Sequence, residues 1–561
     1  MKGMKKIIVA LLAVLVLLVA ALMGLMVVND RNYMIDGRPY PKDAESLDLR
    51  GKDITLQHYE TVCQVLPECE ILWDVPLSGG AVASDSREAV VTDLEEFAAL
   101  QGYFSNLEVL DITGCTDLSA LPAVLEKLPE LKLRFALTVD GDTYTQDSRE
   151  LTLTDVGEVE LVLLRSMTEL EWVTVKEGGA TAGIPALAEY CEENDIKTDA
   201  VLNGQTVSGE LTLENVTEDR ARLLMLASDL EKLHLVEPEA EAGTLLTLRE
   251  VLPETDVTWE KTVMGLTFDS DDTEIDLTPV IALEDGQEPG KKTAYDYALD
   301  CEVMGKREEN PGSGRLRNNY PIPDKFDQTE QLLAEVEAAM AYFPNAEKLM
   351  LYGAWLDNDR MAEFREEHRA EYKTVWTVRC GPLVTRTDAT FFMPTKYQIN
   401  YNAFTDLDAY NLRYCEDMVS IDIGHYIVAN IDFAAFMPEL RYLVLSWTVC
   451  NDLTPLTNCK KLEFFEINWI DRYIDYTPLQ ECTALKDLNI SETGGDITPI
   501  LEMTWLDNLW IVGFSEADYR ETLKALPDTY VGFYYDNPIN GWRTLPNYFA
   551  MRDAMLMFYM S

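Results

Sequence analysis

Histidine is almost missing from this chain. There are four in 561 residues, His58, His234, His368 and His425, and no two stand at helical spacing. That leaves little room for a Ser-His-Asp or Cys-His site. Ten cysteines are scattered without a C-x-x-C pair, which argues against structural zinc. No G-x-S-x-G elbow, no H-E-x-x-H and no glycine-rich phosphate loop occurs. No catalytic set, cofactor or metal site is therefore expected. Positive charge is scarce too: 46 Lys and Arg face 98 Asp and Glu, a net charge of −52. Such a surface repels nucleic acid and anionic lipid and suits solubility outside the cell, or partners that are cationic or bridged by divalent ions. Acidic segments 139–142 and 269–272 have a calcium-like composition that allows weak divalent-cation binding. Neither follows an EF-hand, so solvated acidic loops are the preferred reading.

Long apolar runs are absent as well, with one exception. Ile7 to Val28 carries no polar side chain, behind Lys2, Lys5 and Lys6. Twenty-two residues at about 1.5 Å rise span about 33 Å, close to the hydrocarbon core of a bilayer. The flanking lysines place the N-terminus in the cytoplasm. The expectation is one N-terminal transmembrane helix acting as a signal anchor, with the bulk of the chain outside the cell. A cleaved signal peptide is the alternative.

What the chain does have is repetition. Ile421, Leu443, Phe465, Leu488 and Leu509 recur at spacings of 22, 22, 23 and 21, and Ile423, Leu445, Ile467, Ile490 and Ile511 follow two places behind. A third column reads Cys415, Met437, Cys459, Cys482 and Met503. A slot that takes Met as readily as Cys is apolar core, although neighbouring strands about 4.8 Å apart leave a Cys459–Cys482 disulfide within reach. A longer unit precedes these: Asp85-Ser-Arg-Glu-Ala-Val returns at Asp147, Val207 and Asp271, at offsets of 62, 60 and 64. In outline a long unit holds a strand, a helix, a repeat core such as Leu107-Glu-Val-Leu-Asp-Ile112, a helix ending in Leu-Pro-Glu, as at Leu66, Leu128 and Leu252, and a further strand such as Asp256-Val-Thr-Trp259. Fixed periods of this size mean a solenoid, because one rung cannot bury its apolar side alone.

Leu440-Arg-Tyr-Leu-Val-Leu445, Leu485-Lys-Asp-Leu-Asn-Ile490 and the turns Thr454-Pro-Leu, Thr477-Pro-Leu and Thr498-Pro-Ile resemble leucine-rich repeats of the short, internalin-like kind. The layout as a whole resembles leucine-rich repeat surface proteins of Gram-positive anaerobic bacteria. The resemblance implies an α/β leucine-rich repeat solenoid, with parallel strands on one face and helices or turns on the other, here carrying inserted strand pairs. The expected division is a cytoplasmic stub and membrane span (1–28), a linker (29–43), long units of about 62 residues (44–283), an insertion (284–328), a further long unit (329–394), short repeats of about 22 residues (395–513) and a C-terminal cap (514–561). The insertion reads as a solvated loop or, given its local Lys and Arg, a binding loop.

The function this points to is a binding or adhesion scaffold for a protein or glycan outside the cell. The alternative is a glycan-acting hydrolase with paired carboxylates, which a pocket holding a carboxylate of raised pKa would favour. Strand alternation turns the residues between the repeat leucines outward. Tyr442, Phe464, Asp487 and Asn508 form one outward column and Glu466, Asn489 and Trp510 the next, with Trp447, Asn468 and Trp469 just beyond the strand ends. Exposed aromatics of this kind suit a partner. The competing expectation is that these rings pack on one another or on the cap.

Overall fold

The computed structural model describes residues 14–15, 17–20, 31–281, 314–315, 328–352, 356–381, 383–394, 402, 404–534 and 541–555. The expected membrane span lies outside these, except for 14–15 and 17–20, which are helical and exposed. No helix among the described residues is long and apolar enough to cross a membrane. The predicted insertion also lies outside the described residues, apart from Gly314, Arg315 and Gln328. Gly314–Arg315 is a short strand pairing antiparallel with Leu383–Arg386. The chain divides into two compact units, 1–257 and 258–561.

In the first unit the long repeat is a set of parallel strands joined through helices. Glu88–Val90, Val109–Asp111 and Lys132–Arg134 form one such sheet. Glu150–Leu153, Trp172–Lys176 and Lys197–Leu202 form another. The inserted strand pair is a β-hairpin on the last strand of each unit, as at Leu137–Val139 with Asp142–Tyr144. Its turn is dictated locally. Asp140-Gly141 and Asn203-Gly204 hold φ of 54° and 94°, and 51° and 77°, which only residues tolerant of the left-handed region adopt cheaply. The same hairpin recurs in the second unit around Met264-Gly265.

A second lock recurs eleven residues across three of the hairpins. The Trp73 amide donates to Ser84 Oγ (3.2 Å), Trp259 to Ser270 Oγ (3.2 Å) and Trp376 to Thr387 Oγ1 (3.0 Å). In each, the Ser or Thr amide returns a bond to the Trp carbonyl, at 2.7–2.9 Å. The hydroxyl replaces the strand partner that the hairpin displaces, so a buried N–H is not left unmade.

The second unit ends in a seven-stranded sheet, parallel throughout: Phe391–Phe392, Ser420–Asp422, Tyr442–Val444, Phe464–Glu466, Asp487–Asn489, Asn508–Trp510 and Tyr530–Gly532. Its register follows the sequence spacing, with Ile421, Leu443, Phe465, Leu488, Leu509 and Val531 side by side. The first five are wholly buried, each contributing roughly 1.5–3 kcal/mol of apolar burial. The backs of the rungs are 3-10 turns at Thr454–Asn458, Thr477–Glu481 and Ile500–Glu502. An aspartate two residues ahead of each Thr-Pro, Asp452, Asp475 or Asp496, accepts the threonine amide at 2.9 Å and starts the turn.

All nine described cysteines are free thiols, Cys459 and Cys482 included. The sulfur column is fully buried. Cys459 donates to the Ala434 carbonyl and Cys482 to Leu456, each at 3.3 Å. Burial pushes both thiols up to about 12, so neither forms the thiolate that disulfide exchange requires. In the acidic loops, Asp140 pairs with Lys176 at 2.9 Å, and Asp269 and Asp272 accept main-chain amides of their own loop. Among the described residues no three His, Cys, Asp or Glu side chains group as a metal site would require.

Candidate functional site

Beyond the last residue of each short strand the chain must turn back to the rear of the solenoid. The residue that makes the turn is left-handed: His425 (φ 70°), Trp447 (φ 63°), Trp469 (φ 57°), Glu492 (φ 56°) and Gly513 (φ 90°). They continue the ladder between rungs, each amide donating one rung ahead: His425 to Ser446 O (2.8 Å), Trp447 to Asn468 O (2.9 Å), Trp469 to Ser491 O (3.1 Å) and Glu492 to Val512 O (2.7 Å). For a bulky residue this backbone costs roughly 1–2 kcal/mol relative to glycine. Glycine stands only at the end of the column, where a Cβ would come within 3.0 Å of the Glu492 carboxyl carbon.

The rings stack along the solenoid. Trp447 and Trp469 lie 5.3 Å apart at 13°, and His425 stacks on Trp447 at 6.0 Å and 15°. Both indoles stay open to solvent, 53% and 41% exposed. Beside them is a cavity of about 260 Å³, lined by Ser446, Glu466, Asn468, Asn489, Ser491, Glu492 and Val512 together with Trp542 and Arg543 of the C-terminal segment. Glu466 forms its floor and accepts from Ser446 Oγ (2.7 Å), Asn468 Nδ2 (3.2 Å) and Trp542 Nε1 (2.5 Å). The other Asn468 amide atom, Oδ1, is buried with no partner among the described residues. The Asn489 side-chain oxygen, Oδ1, takes the Ser491 amide (3.0 Å). The cavity thus offers carboxylate and amide oxygens beside aromatic surface, with Arg543 as an exposed cation at its rim.

Asp422 shares the outward row of Glu466 two strands away, with Val444 between them. Burial pushes its carboxyl up to about 7. The Gly424 amide opposes this, the charge of Glu466 adds to it and Arg543 opposes it. Its Oδ1 accepts that Gly424 amide at 3.0 Å. Asp422 does not line the cavity.

The sequence-predicted site divides in two. Trp447, Glu466, Asn468, Trp469 and Asn489 come together around the cavity. Tyr442, Phe464, Asp487 and Trp510 do not form an exposed face and need correcting, as does the exposure expected of Glu466 and Asn489: all six are buried. The cause is the C-terminal segment, which lies over the outward columns. Trp542 packs on Phe464 (4.6 Å) and edge-on to Trp510 (4.7 Å). Tyr548, Met551 and Met555, on and just after the helix Pro546–Ala554, complete an apolar cluster with Tyr442 and Val444. Asn547 Nδ2 donates to Asp487 (2.8 Å), whose other oxygen takes Asn508 Nδ2 (2.7 Å). The competing expectation, packing on the cap, is the one realised. His425 and Glu492, absent from the predicted set, belong to the Trp447 column, and their spacing of 22 and 23 from its tryptophans was the available signal.

No protein family and no curated protein matches the chain. Among solved structures it is similar to an internalin F from Listeria monocytogenes, at 12% identity over 82% of this chain and 90% of that one, with a TM-score of 0.23. A leucine-rich repeat protein of Leptospira interrogans is similar at 12% identity over 79% of this chain and 100% of that one, with a TM-score of 0.22. An internalin C2 from Listeria monocytogenes is 17% identical over 32% of this chain and 82% of that one, with a TM-score of 0.20. The leucine-rich repeat fold of the present chain rests on its own rung register.

Proposed function

We propose that the protein is an interaction scaffold, membrane-tethered through Ile7 to Val28 and displayed outside the cell, that seats a protein or glycan ligand beside the Trp447–Trp469 stack. The observation that carries this reading is the stack itself. Two bulky indoles occupy a strained backbone, remain exposed and open on a cavity rich in hydrogen-bond acceptors. Every rung turns through a left-handed residue, but only here do two bulky, exposed indoles occupy it, and Trp is enriched among interface hot spots. Acceptor oxygens of Glu492 and Asn468 suit a donating ligand, either saccharide hydroxyls or a basic side chain, and the chain's −52 charge favours the latter's approach.

The test compares the full chain with a Trp447→Asn, Trp469→Asn double variant on arrayed glycans and basic peptides. Asparagine tolerates the left-handed backbone, so the melting temperature should stay within a few degrees. Binding should weaken by roughly thirtyfold or more, the loss of one hot spot. A large fall in melting temperature with binding intact in the folded fraction would make the stack structural and end this reading.

The raised carboxyl of Asp422 near Glu466 supports a second reading, acid/base hydrolysis of a glycan. Two arrangements weigh against it: Asp422 does not line the cavity, and Glu466 is committed to three donors. Release of product from any arrayed glycan, abolished by Asp422→Asn, would establish hydrolysis in place of binding alone.

A further inference from the structure

A different site lies where the long repeat meets the short rungs of the second unit. The strand Lys373–Cys380 pairs with Lys348–Leu351 through Lys373 to Trp376, but its other edge meets Leu383–Arg386 only from Thr377 onward. The hairpin thus leaves a seam beside Tyr372, Lys373 and Thr374, which opens as a cavity of about 270 Å³. At about 30 Å³ per molecule that is room for several waters, or for a small polyatomic ligand.

Three buried polar atoms without a hydrogen-bond partner among the described residues belong to its lining: Arg365 Nε, the Tyr372 hydroxyl and the Thr374 hydroxyl. Thr374 is wholly buried and Tyr372 nearly so. One orphaned buried donor is unusual and costs about 1–3 kcal/mol, so three around one cavity call for an occupant. The first-unit seam, lined by Leu131, Leu133 and Gln146 among others, also opens, yet none of its lining residues holds such an atom. The gap is a consequence of the hairpin, whereas its polar lining in the second unit is not.

The lining specifies the occupant's chemistry. Arg365 Nε–H donates only; the Glu366 carboxylate stands 3.9 Å away, beyond hydrogen-bond distance, so its missing partner is an acceptor. Its two Nη atoms are committed, one to the Tyr414 carbonyl (2.9 Å) and the other to Glu416 (2.7 Å). The two-pronged grip on a planar carboxylate is therefore closed off. Three single donors from separate residues suit an ion with several outward oxygens. Arg369 and Lys373 stand at the mouth, tied to Glu416 (2.8 Å) and to Asp417. The lining cations Arg365, Arg369 and Lys373 are balanced by Glu416, Asp417 and the adjoining Glu366, so selection of the occupant rests on the unpartnered donors and not on net charge.

We propose that this seam is a binding site for a small tetrahedral oxyanion, phosphate or sulfate, free or borne by a larger molecule, held by Arg365 Nε–H and the Tyr372 and Thr374 hydroxyls. It is independent of the Trp447–Trp469 site. The test titrates inorganic phosphate into the full chain in detergent, followed by ³¹P NMR at ionic strength held constant with chloride. Saturable binding, displaced by sulfate, is expected. Thr374→Val and Tyr372→Phe each remove one unpartnered hydroxyl and leave the fold intact, and each should weaken binding roughly tenfold or more, the worth of a hydrogen bond to a charged group. Arg365→Lys should weaken it further, and Trp447→Asn should leave it unchanged. An O-phosphorylated peptide binding as tightly as phosphate would identify the borne form, and its failure the free ion. A non-saturating response, or equal affinity in the Val and Phe variants, overturns the site and assigns the cavity to water.

Discussion

Trp542→Ala should cost the second unit on the order of 4 kcal/mol, read as a fall in its urea midpoint. Trp542 is 2% exposed and lies at the centre of the cluster that covers the short rungs. Truncating a buried Trp to Ala removes about 3–5 kcal/mol in transfer and cavity terms. The variant also takes from Glu466 one of its three hydrogen-bond donors. A buried carboxylate losing a donor adds about 1–3 kcal/mol, not fully additive with the packing loss. Trp542→Phe keeps a six-membered ring against Phe464 and Trp510 while losing the N–H and part of the indole volume, so an intermediate loss of about 1–3 kcal/mol is expected. The Ala variant should also bind more of a hydrophobic dye, since Tyr442, Phe464 and Trp510 lose their cover. A loss under about 1 kcal/mol would mean that the C-terminal segment is a dispensable flap.

That segment is also where reading the sequence reached its end. The inward columns were legible because burial imposes the period: Ile421, Leu443, Phe465, Leu488 and Leu509 must meet, so their spacing is their register. The hairpin turns were written locally, in Asp140-Gly141 and Asn203-Gly204. Alternation likewise says which side chains leave the core, but not what lies over them. Residues 541–555 share no repeat with the rungs, so no register ties Trp542 to Phe464 in the sequence. Alternation alone therefore leaves exposure and packing on the cap as competing expectations for Tyr442, Phe464, Asp487 and Trp510, and all four are buried. Trp447 and Trp469 are legible because they sit past the strand ends, where the cap borders their cavity and leaves both indoles exposed. The seam at Thr374 was illegible for another reason. Its orphaned atoms come from a helix and a strand, and their lack of partners is a property of the space between them.

Asp422 should make the second unit less stable as pH rises from about 4 to about 7, and Asp422→Asn should remove that slope. In the unfolded chain an aspartate titrates near 3.9. In the folded protein burial pushes Asp422 up to about 7. Below about pH 4 both states hold the proton and the group costs nothing. Between the two values the folded state keeps a proton that the unfolded state has lost, so stability falls with pH, and above about 7 the full penalty applies. Three pKa units correspond to at most about 4 kcal/mol. The partial solvent access that Asp422 retains screens its charge and brings the expected effect nearer 2 kcal/mol. Asparagine keeps an oxygen for the Gly424 amide and cannot ionise, so the variant should match the natural protein at pH 4 and exceed it by about 2 kcal/mol at pH 8. Taking the difference at each pH cancels groups that titrate the other way, such as Asp388, which the Arg386 and Lys348 charges hold at about 2 despite its burial. Glu466 and Arg543 are the charges acting on Asp422. Removing the opposing one, as Arg543→Gln, should carry the slope to higher pH. A difference that is constant across the range would mean that Asp422 ionises as it does in the unfolded chain. A difference of the opposite sign would mean that Arg543 holds it as a paired carboxylate, and the hydrolytic reading would then lose its proton donor.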